Sequence, residues 1–230
     1  MAVNTHPYYP ERVVLSGNFI ENTWTVPSLI LTFVTGCTLL LFITLVVLRR
    51  VNPVLRPSDQ WKVLWFIMTG CIHVFFEGYF VYNNSRMPGM QDFFGQLWKE
   101  YALSDSRYMT SDPLVLCMES LTVLTWGPLS LLTAVLIITD SRFRHPVQAL
   151  VSTGQFYGNL IYYSTCLYED FALGTRYYRP EPYYFWWYFI FMNTFWLVIP
   201  AICLADSIVA SGSAFAVASK VNDENERKRK

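Results

Sequence analysis

Charge is scarce in this chain, and what there is cancels. Only 15% of the 230 residues are charged and the formal net charge is +0. That excludes a basic nucleic-acid binder and an acidic disordered chain. Cysteine offers no framework either. Cys37, Cys71, Cys117, Cys166 and Cys203 are odd in number and each falls inside an apolar stretch, so free packing thiols are expected. There is no CxxC pair or cysteine–histidine cluster for a metal, and no glycine-rich phosphate loop, serine-hydrolase elbow or internal repeat. With no nucleotide or flavin motif, the chemistry is expected to need no cofactor. Residues 1–25 include Pro7, Pro10, Glu11, Arg12 and Glu21 but no apolar stretch of the length a signal-peptide core needs. The first span is therefore expected to stay in the protein rather than act as a cleaved signal.

Apolar residues are abundant: 53% of the chain is hydrophobic and 17% aromatic. They gather into five runs, at 26–48, 61–82, 113–138, 147–168 and 183–208. Each is long enough to cross a bilayer and is apolar nearly all round, unlike the one-sided stripe of a soluble helix. The expected fold class is an all-α membrane protein, a five-transmembrane-helix bundle around an intramembrane ligand cavity. The first 25 residues would be a lumenal segment, 26–210 the five-span domain, and 211–230 a charged, disordered tail. Arg49, Arg50, Arg56, Lys62, Arg142, Arg144 and the tail Lys220, Arg227, Lys228, Arg229 and Lys230 outnumber the basic residues of the other connections. That bias predicts a lumenal amino terminus and a cytosolic carboxyl terminus. The longest connection, 83–112, has the length of a functional lid or of a segment with its own helix, and a short helix is expected near 91–101.

The second run carries two ionisable groups, His73 and Glu77. Each costs about 2.5–3.5 kcal/mol at mid-membrane on the insertion scale, and the i, i+4 spacing puts both on one face. Counting about 1.5 Å per residue from the lumenal ends, Glu77 lies about 7–8 Å deep and His73 about 13 Å. On the same count, Glu119 lies about 9 Å deep, Thr122 and Asn159 about 13 Å, and Asn193 about 15 Å. Gln155 is deeper, and Trp196 is about one turn beyond Asn193. Four of the five helices thus place polar groups in one slab. Glu119, Thr122 and Trp126 share a stripe, and Pro128 and Pro200 free carbonyls at Leu124 and Trp196. A histidine beside a carboxylate is a proton donor and acceptor set. A second carboxylate, an amide and an indole face suit a positive charge. This combination fits cofactor-free proton transfer on an apolar substrate through a carbocation, as in moving a double bond.

Seven blocks in order carry a resemblance: Cys71-Ile-His73-Val-Phe-Phe-Glu77-Gly, Gln96-Leu-Trp-Lys-Glu-Tyr101, Asp105-Ser-Arg107-Tyr108, Cys117-Met-Glu119-Ser-Leu-Thr122, Trp126-Gly-Pro-Leu129, Gly154-Gln-Phe-Tyr157 and Phe191-Met-Asn193-Thr-Phe-Trp196. From about Asn18 to Asp206 the chain resembles the emopamil-binding protein family, the 3β-hydroxysteroid Δ8,Δ7-isomerases of the endoplasmic reticulum. The resemblance implies a five-span (EXPERA-type) domain in that membrane. The implied reaction shifts a double bond from C8=C9 to C7=C8 of a zymosterol-like Δ8 sterol. It further implies inhibition by cationic amphiphilic amines and a homodimer. Its functional positions carry over to His73, Glu77, Glu119, Thr122, Asn193 and Trp196, supported by Tyr101, Asp105, Arg107 and Tyr108. Trp126, Gln155 and Asn159 join the supporting set by depth. Glu119 is expected to be held by Thr122 or Asn193. Two other readings stay open at this point: a non-catalytic sterol- or amine-binding relative, and a proton-coupled transporter using His73 and Glu77.

Overall fold

A computed structural model of the chain describes residues 6–229. Six helices carry it, and no strand occurs among the described residues: α1 (Val26–Val51), α2 (Pro57–Gly89), α3 (Phe93–Tyr101), α4 (Pro113–Ile138), α5 (Arg144–Leu173) and α6 (Tyr184–Arg229). Their starts follow local chemistry. Thr25 caps α1 through the Ser28 N–H, Asp92 caps α3 and Asp112 caps α4, with Pro27 and Pro113 in first turns where no N–H is needed. Gly174 ends α5 at φ 68°, the left-handed conformation that favours glycine.

By length and composition, α1, α2, α4 and α6 can cross a membrane. The helix over the fourth apolar run, α5, is long enough at 30 residues but more polar. Its polar residues Gln148, Ser152, Gln155 and Asn159 are buried, so the stripe that lowers its hydropathy faces other helices. Large apolar side chains such as Leu31, Phe42, Phe75, Leu124 and Ile208 point outward, the surface expected against lipid. The tail, expected to be disordered, instead continues α6 as an exposed helix to Arg229. Its alanines favour helix, and Arg227, Lys228 and Arg229 suit the negative end of the helix dipole. Residues 1–5 and 230 of the two terminal segments lie outside the described residues.

α1, α2, α4, α5 and α6 alternate in direction, as the pairing of Phe33 with Phe76, Glu77 with Thr122, and Lys62 and Gln148 with Asp206 shows. At the basic end, Asn52 Nδ2 donates to Ile138 O at 2.8 Å. A core of Leu48, Val63, Phe66, Ala134, Val151 and Cys203 fills that half. At the other end the amino-terminal segment and the 83–112 connection form a cap over an aromatic core of Tyr8, Phe80, Trp98, Tyr108 and Phe189. The cap is stitched by Gln96, whose Oε1 accepts from the Thr23 and Trp24 N–H groups at 2.7 and 2.9 Å. Lys99 Nζ donates to Ile20 O at 2.6 Å. The short helix expected near 91–101 is α3. The five cysteines are all unpaired.

Candidate active site

Three segments widen from α-helical to π-helical winding: Ile72–Glu77 in α2, Thr122–Trp126 in α4, and Tyr184–Phe191 at the start of α6. Each is π-helical, one residue wider per turn, a form that clusters at functional positions. In α2 the Gly78 N–H reaches back to His73 O, and in α4 the Gly127 N–H reaches Thr122 O. The α4 turn, Thr122–Trp126, ends two residues before Pro128, which has no N–H to give. Widening there absorbs the proline that the sequence marks as a kink. The α2 and α4 segments pack against each other, so two helices present their polar side chains at the same place.

These side chains form one hydrogen-bonded chain. His73 Nδ1 lies 2.7 Å from Glu77 Oε2. The Thr122 hydroxyl lies 2.6 Å from the same oxygen and 3.4 Å from Glu119 Oε2. Tyr108 OH donates to Glu119 Oε1 at 2.7 Å. Gln155 Nε2 lies 3.1 Å from His73 Nε2 and 3.4 Å from Ser130 Oγ. Thr122 is also 2.7 Å from Glu119 O. Its single proton serves one acceptor at a time, so the rest of the chain must supply a donor. His73 and Glu119 are buried, and Glu77 keeps 12% of its side chain exposed. Among the described residues, no lysine or arginine pairs with either carboxylate.

The remaining expected residues group around this chain. The Trp196 ring sits 6.4 Å from the His73 ring and 5.8 Å from Trp65, centroid to centroid. Trp126 lies over Gly154, where a Cβ would come within 2.5 Å of the indole. Asn193 does not hold Glu119. Its amide donates to Tyr101 OH at 2.9 Å and to Phe189 O at 2.8 Å, while Asn159 donates to Asn193 O at 2.9 Å. Thr122 and Tyr108 take the place at Glu119. The second group meets the first through the Tyr101 and Tyr108 rings, 5.5 Å apart.

Asp105 and Arg107 stand outside both groups. Arg107 Nη2 and Nε donate to Asp105 at 2.7–3.1 Å, and Nη1 donates to Thr165 at 3.0 Å. The guanidinium lies 5.2 and 5.4 Å from the centres of the Tyr162 and Tyr177 rings. This pair braces the 3-10 turn Ser106–Met109 that carries Tyr108. Ser130 was not anticipated; a lone serine in an apolar run gives no signal. A surface concavity of about 490 Å³ lies away from this layer, beside His6, Glu11, Arg12 and Asn18.

Residues 93–207 match the model of EXPERA, the expanded EBP superfamily. A 3-beta-hydroxysteroid-Delta(8),Delta(7)-isomerase of Cavia porcellus is 38% identical over 209 residues, spanning 88% of this chain and 87% of the relative. The chain belongs to the EXPERA superfamily. A relative of the same name in Mus musculus is 38% identical over 94% of each chain. In Oryza sativa, a probable 3-beta-hydroxysteroid-Delta(8),Delta(7)-isomerase is 32% identical over 86% of this chain and 88% of its own. The EXPERA match begins at α3 and so includes Glu119, Thr122, Asn193 and Trp196. His73 and Glu77 precede it but sit well inside the span shared with the 94% relative.

Proposed function

We propose that this protein is a sterol Δ8–Δ7 isomerase whose reacting groups are the His73–Glu77–Thr122–Glu119 chain. The activity follows the names of its 38%-identical relatives. The observation that carries the site is a pair of carboxylates bridged by one hydroxyl, with a histidine on one of them and, among the described residues, no lysine or arginine beside either. Such a group moves protons rather than bracing a scaffold.

The reaction adds a proton to C9 of the C8=C9 bond, leaving a cation at C8, and loses a proton from C7 to form C7=C8. Protons in and out balance, so no co-reactant is needed. His73 and Glu77 exchange the protons, with the Nδ1–Oε2 contact as the donor–acceptor pair. Glu119, oriented by Tyr108 and Thr122, faces the developing charge, and Trp196 offers an aromatic face to it. Tyr101, Asn193 and Asn159 line the approach. Asp105 and Arg107 act only through the position of Tyr108. Trp126, pressed on Gly154, forms the neighbouring wall. The sterol lies in an intramembrane cavity of the bundle, entered from the bilayer where Glu77 and Trp196 are only half-buried.

In this reading α5 is the fifth span, since its polar stripe faces protein and its exposed side faces lipid. The basic end is cytosolic and the cap lumenal, in the endoplasmic-reticulum membrane. Protonated amphiphilic amines inhibit by imitating the C8 cation, and two copies pair as a homodimer.

The test is conversion of a Δ8 sterol in deuterated water, read by mass spectrometry. A Δ7 product carrying one deuterium is expected. No conversion, together with saturable binding of a cationic amine, would replace this reading with that of a sterol- or amine-binding protein.

A further inference from the structure

Between the reacting layer and the basic end, the facing surfaces of α2, α4, α5 and α6 stay polar although they are sealed. Thr69, Ser130, Ser152 and Ser207 are fully buried. On α2, His73 and Thr69 are four residues apart and Lys62 is seven further on; on α5, Gln155, Ser152 and Gln148 are three and four apart. These spacings keep each set on one helical stripe. The stripes are pinned together at both ends. At the top Gln155 meets His73 at 3.1 Å. At the bottom Lys62 and Gln148 both donate to Asp206 Oδ2, at 2.7 and 3.1 Å. α2 and α5 are thus joined directly at His73 and, at the basic end, through Asp206 of α6.

The hydrogen bonding of this seam is unlike that of the other helices. Several other helical hydroxyls, those of Thr38, Ser120, Thr125, Thr133 and Thr194, bond back to the carbonyl four residues earlier. Thr69, Ser152 and Ser207 do not, and their oxygens have no protein partner. Gln155 Oε1 and Trp65 Nε1 are in the same condition. Buried polar groups are ordinarily satisfied by protein or by ordered water. The unsatisfied groups on α2, α5 and α6 between His73 and Asp206 are ones that ordered water would satisfy.

We propose that this seam is a proton-exchange path, through which the His73–Glu77 pair trades its proton with water at the basic end. The inference rests on the isomerase reading. Gln155 is the upper positioning residue. Its amide N–H donates to Nε2 of neutral His73, whose Nδ1–H then faces Glu77. Turned over, its now unpartnered Oε1 accepts Nε2–H of the imidazolium, so one side chain serves both protonation states. On the opposite side of the layer, Phe76, Trp98 and Tyr108 stack at 4.4 and 4.8 Å and close the way toward the cap. The path consumes nothing: a proton taken from C7 leaves, a water-derived proton enters, and the pair is ready to protonate C9.

The experiment uses the full chain in detergent, ordinary water and a Δ8 sterol deuterated at C7. A deuteron taken from C7 either exchanges or is delivered to C9 of the next substrate molecule. The parent protein is expected to place little deuterium at C9. Thr69→Val and Ser152→Ala should raise C9 label several-fold while turnover changes less than about threefold, the scale of a remote substitution. Thr133→Val removes a buried hydroxyl that is already bonded within its own helix, and should leave label transfer at the parent level. Equal C9 label in the parent and both seam variants overturns the path, as does a parent that already delivers nearly all its label. If the parent forms no Δ7 product at all, the isomerase reading falls and takes the path with it.

Discussion

Two of the molecule's buried ionisable clusters, the basic end and the reacting layer of the proposed mechanism, are built by opposite rules. At the basic end, Asp59 and Asp206 share Lys62, and Arg144 Nη1 lies 3.5 Å from Asp59. Every carboxylate there has a cation, the helices are regularly wound, and α2, α5 and α6 are tied at one point. In the reacting layer Glu77 and Glu119 have a histidine, two hydroxyls and no lysine or arginine, on helices that widen to π turns. Balanced charge on straight helices makes a clamp. Unbalanced charge on distorted helices makes a site where a proton has somewhere to go.

The sharpest way to break this comparison is to neutralise one carboxylate in each cluster. Glu77→Gln keeps the shape but removes the acceptor beside His73. Turnover should fall about 10²–10⁴-fold, the usual worth of general acid–base catalysis, while the melting temperature stays within a few degrees of the parent. Glu119→Gln should do the same, because it replaces the carboxyl group that the proposed mechanism turns toward C8. Product formation by mass spectrometry checks both, and near-normal turnover in either variant would move the chemistry elsewhere. At the clamp the reverse is expected. Lys62→Met leaves Asp206 and Asp59 facing each other with less cation. Breaking a buried pair costs about 3–5 kcal/mol. Because Asp206 is partly exposed and Asp59 keeps Arg144, about 2–3 kcal/mol is expected here. Thermal melting should show the loss, with turnover per folded molecule preserved. A variant that melts normally but does not turn over would erase the distinction.

The two clusters also differed in how far the sequence disclosed them. His73 and Glu77 were visible because i, i+4 spacing inside an apolar run is a local pattern. Glu119, Thr122 and Gln155 followed because helices of known rise place residues at countable depths, and all five now lie in one hydrogen-bonded chain. Contacts fixed by helix rotation and loop path were not readable. Asn193 is equally deep but turned toward Tyr101, and Tyr108 reaches Glu119 from a connection whose course no periodicity records. Lys62 read as a loop charge because the second apolar run begins beside it. Its partner Asp206 is 144 positions away, a separation no single-sequence pattern spans. The π turns are shifts of backbone hydrogen bonds and have no compositional mark beyond Pro128.

A smaller effect tests whether the layer depends on fixed walls as well as on charge. Trp126 rests directly on Gly154, and a methyl group there would meet ring atoms at 2.5–2.6 Å. Gly154→Ala must push the indole or separate α4 from α5. Overpacking of this kind costs about 1–3 kcal/mol. Turnover should drop about tenfold, the equivalent of about 1.4 kcal/mol in the barrier, with the effect confined to the layer. An unchanged rate would mean that Trp126 is only packing. A mirror substitution at the clamp, Ala134→Gly, should lower stability without touching the rate.

The smallest effect separates the two buried lysines. Lys62 has two carboxylates within 3.2 Å, whereas Lys99 in the cap donates to a neutral carbonyl, Ile20 O. Burial pushes the Lys99 ammonium down to about 8, against about 10.4 for an exposed lysine. Below pH 8 the group is charged in both folded and unfolded chains, and the folded state carries the full penalty of burying it. Between about 8 and 10.4 the unfolded chain binds more protons, so stability contributed by this residue rises with pH across that window. The expected signature is a melting temperature that gains slightly on going from pH 7 to pH 9.5. Lys99→Met should flatten that gain while leaving the Δ8–Δ7 conversion intact. If parent and variant share the same slope, Lys99 is not the group that titrates, and the cap holds its lysine as comfortably as the clamp does.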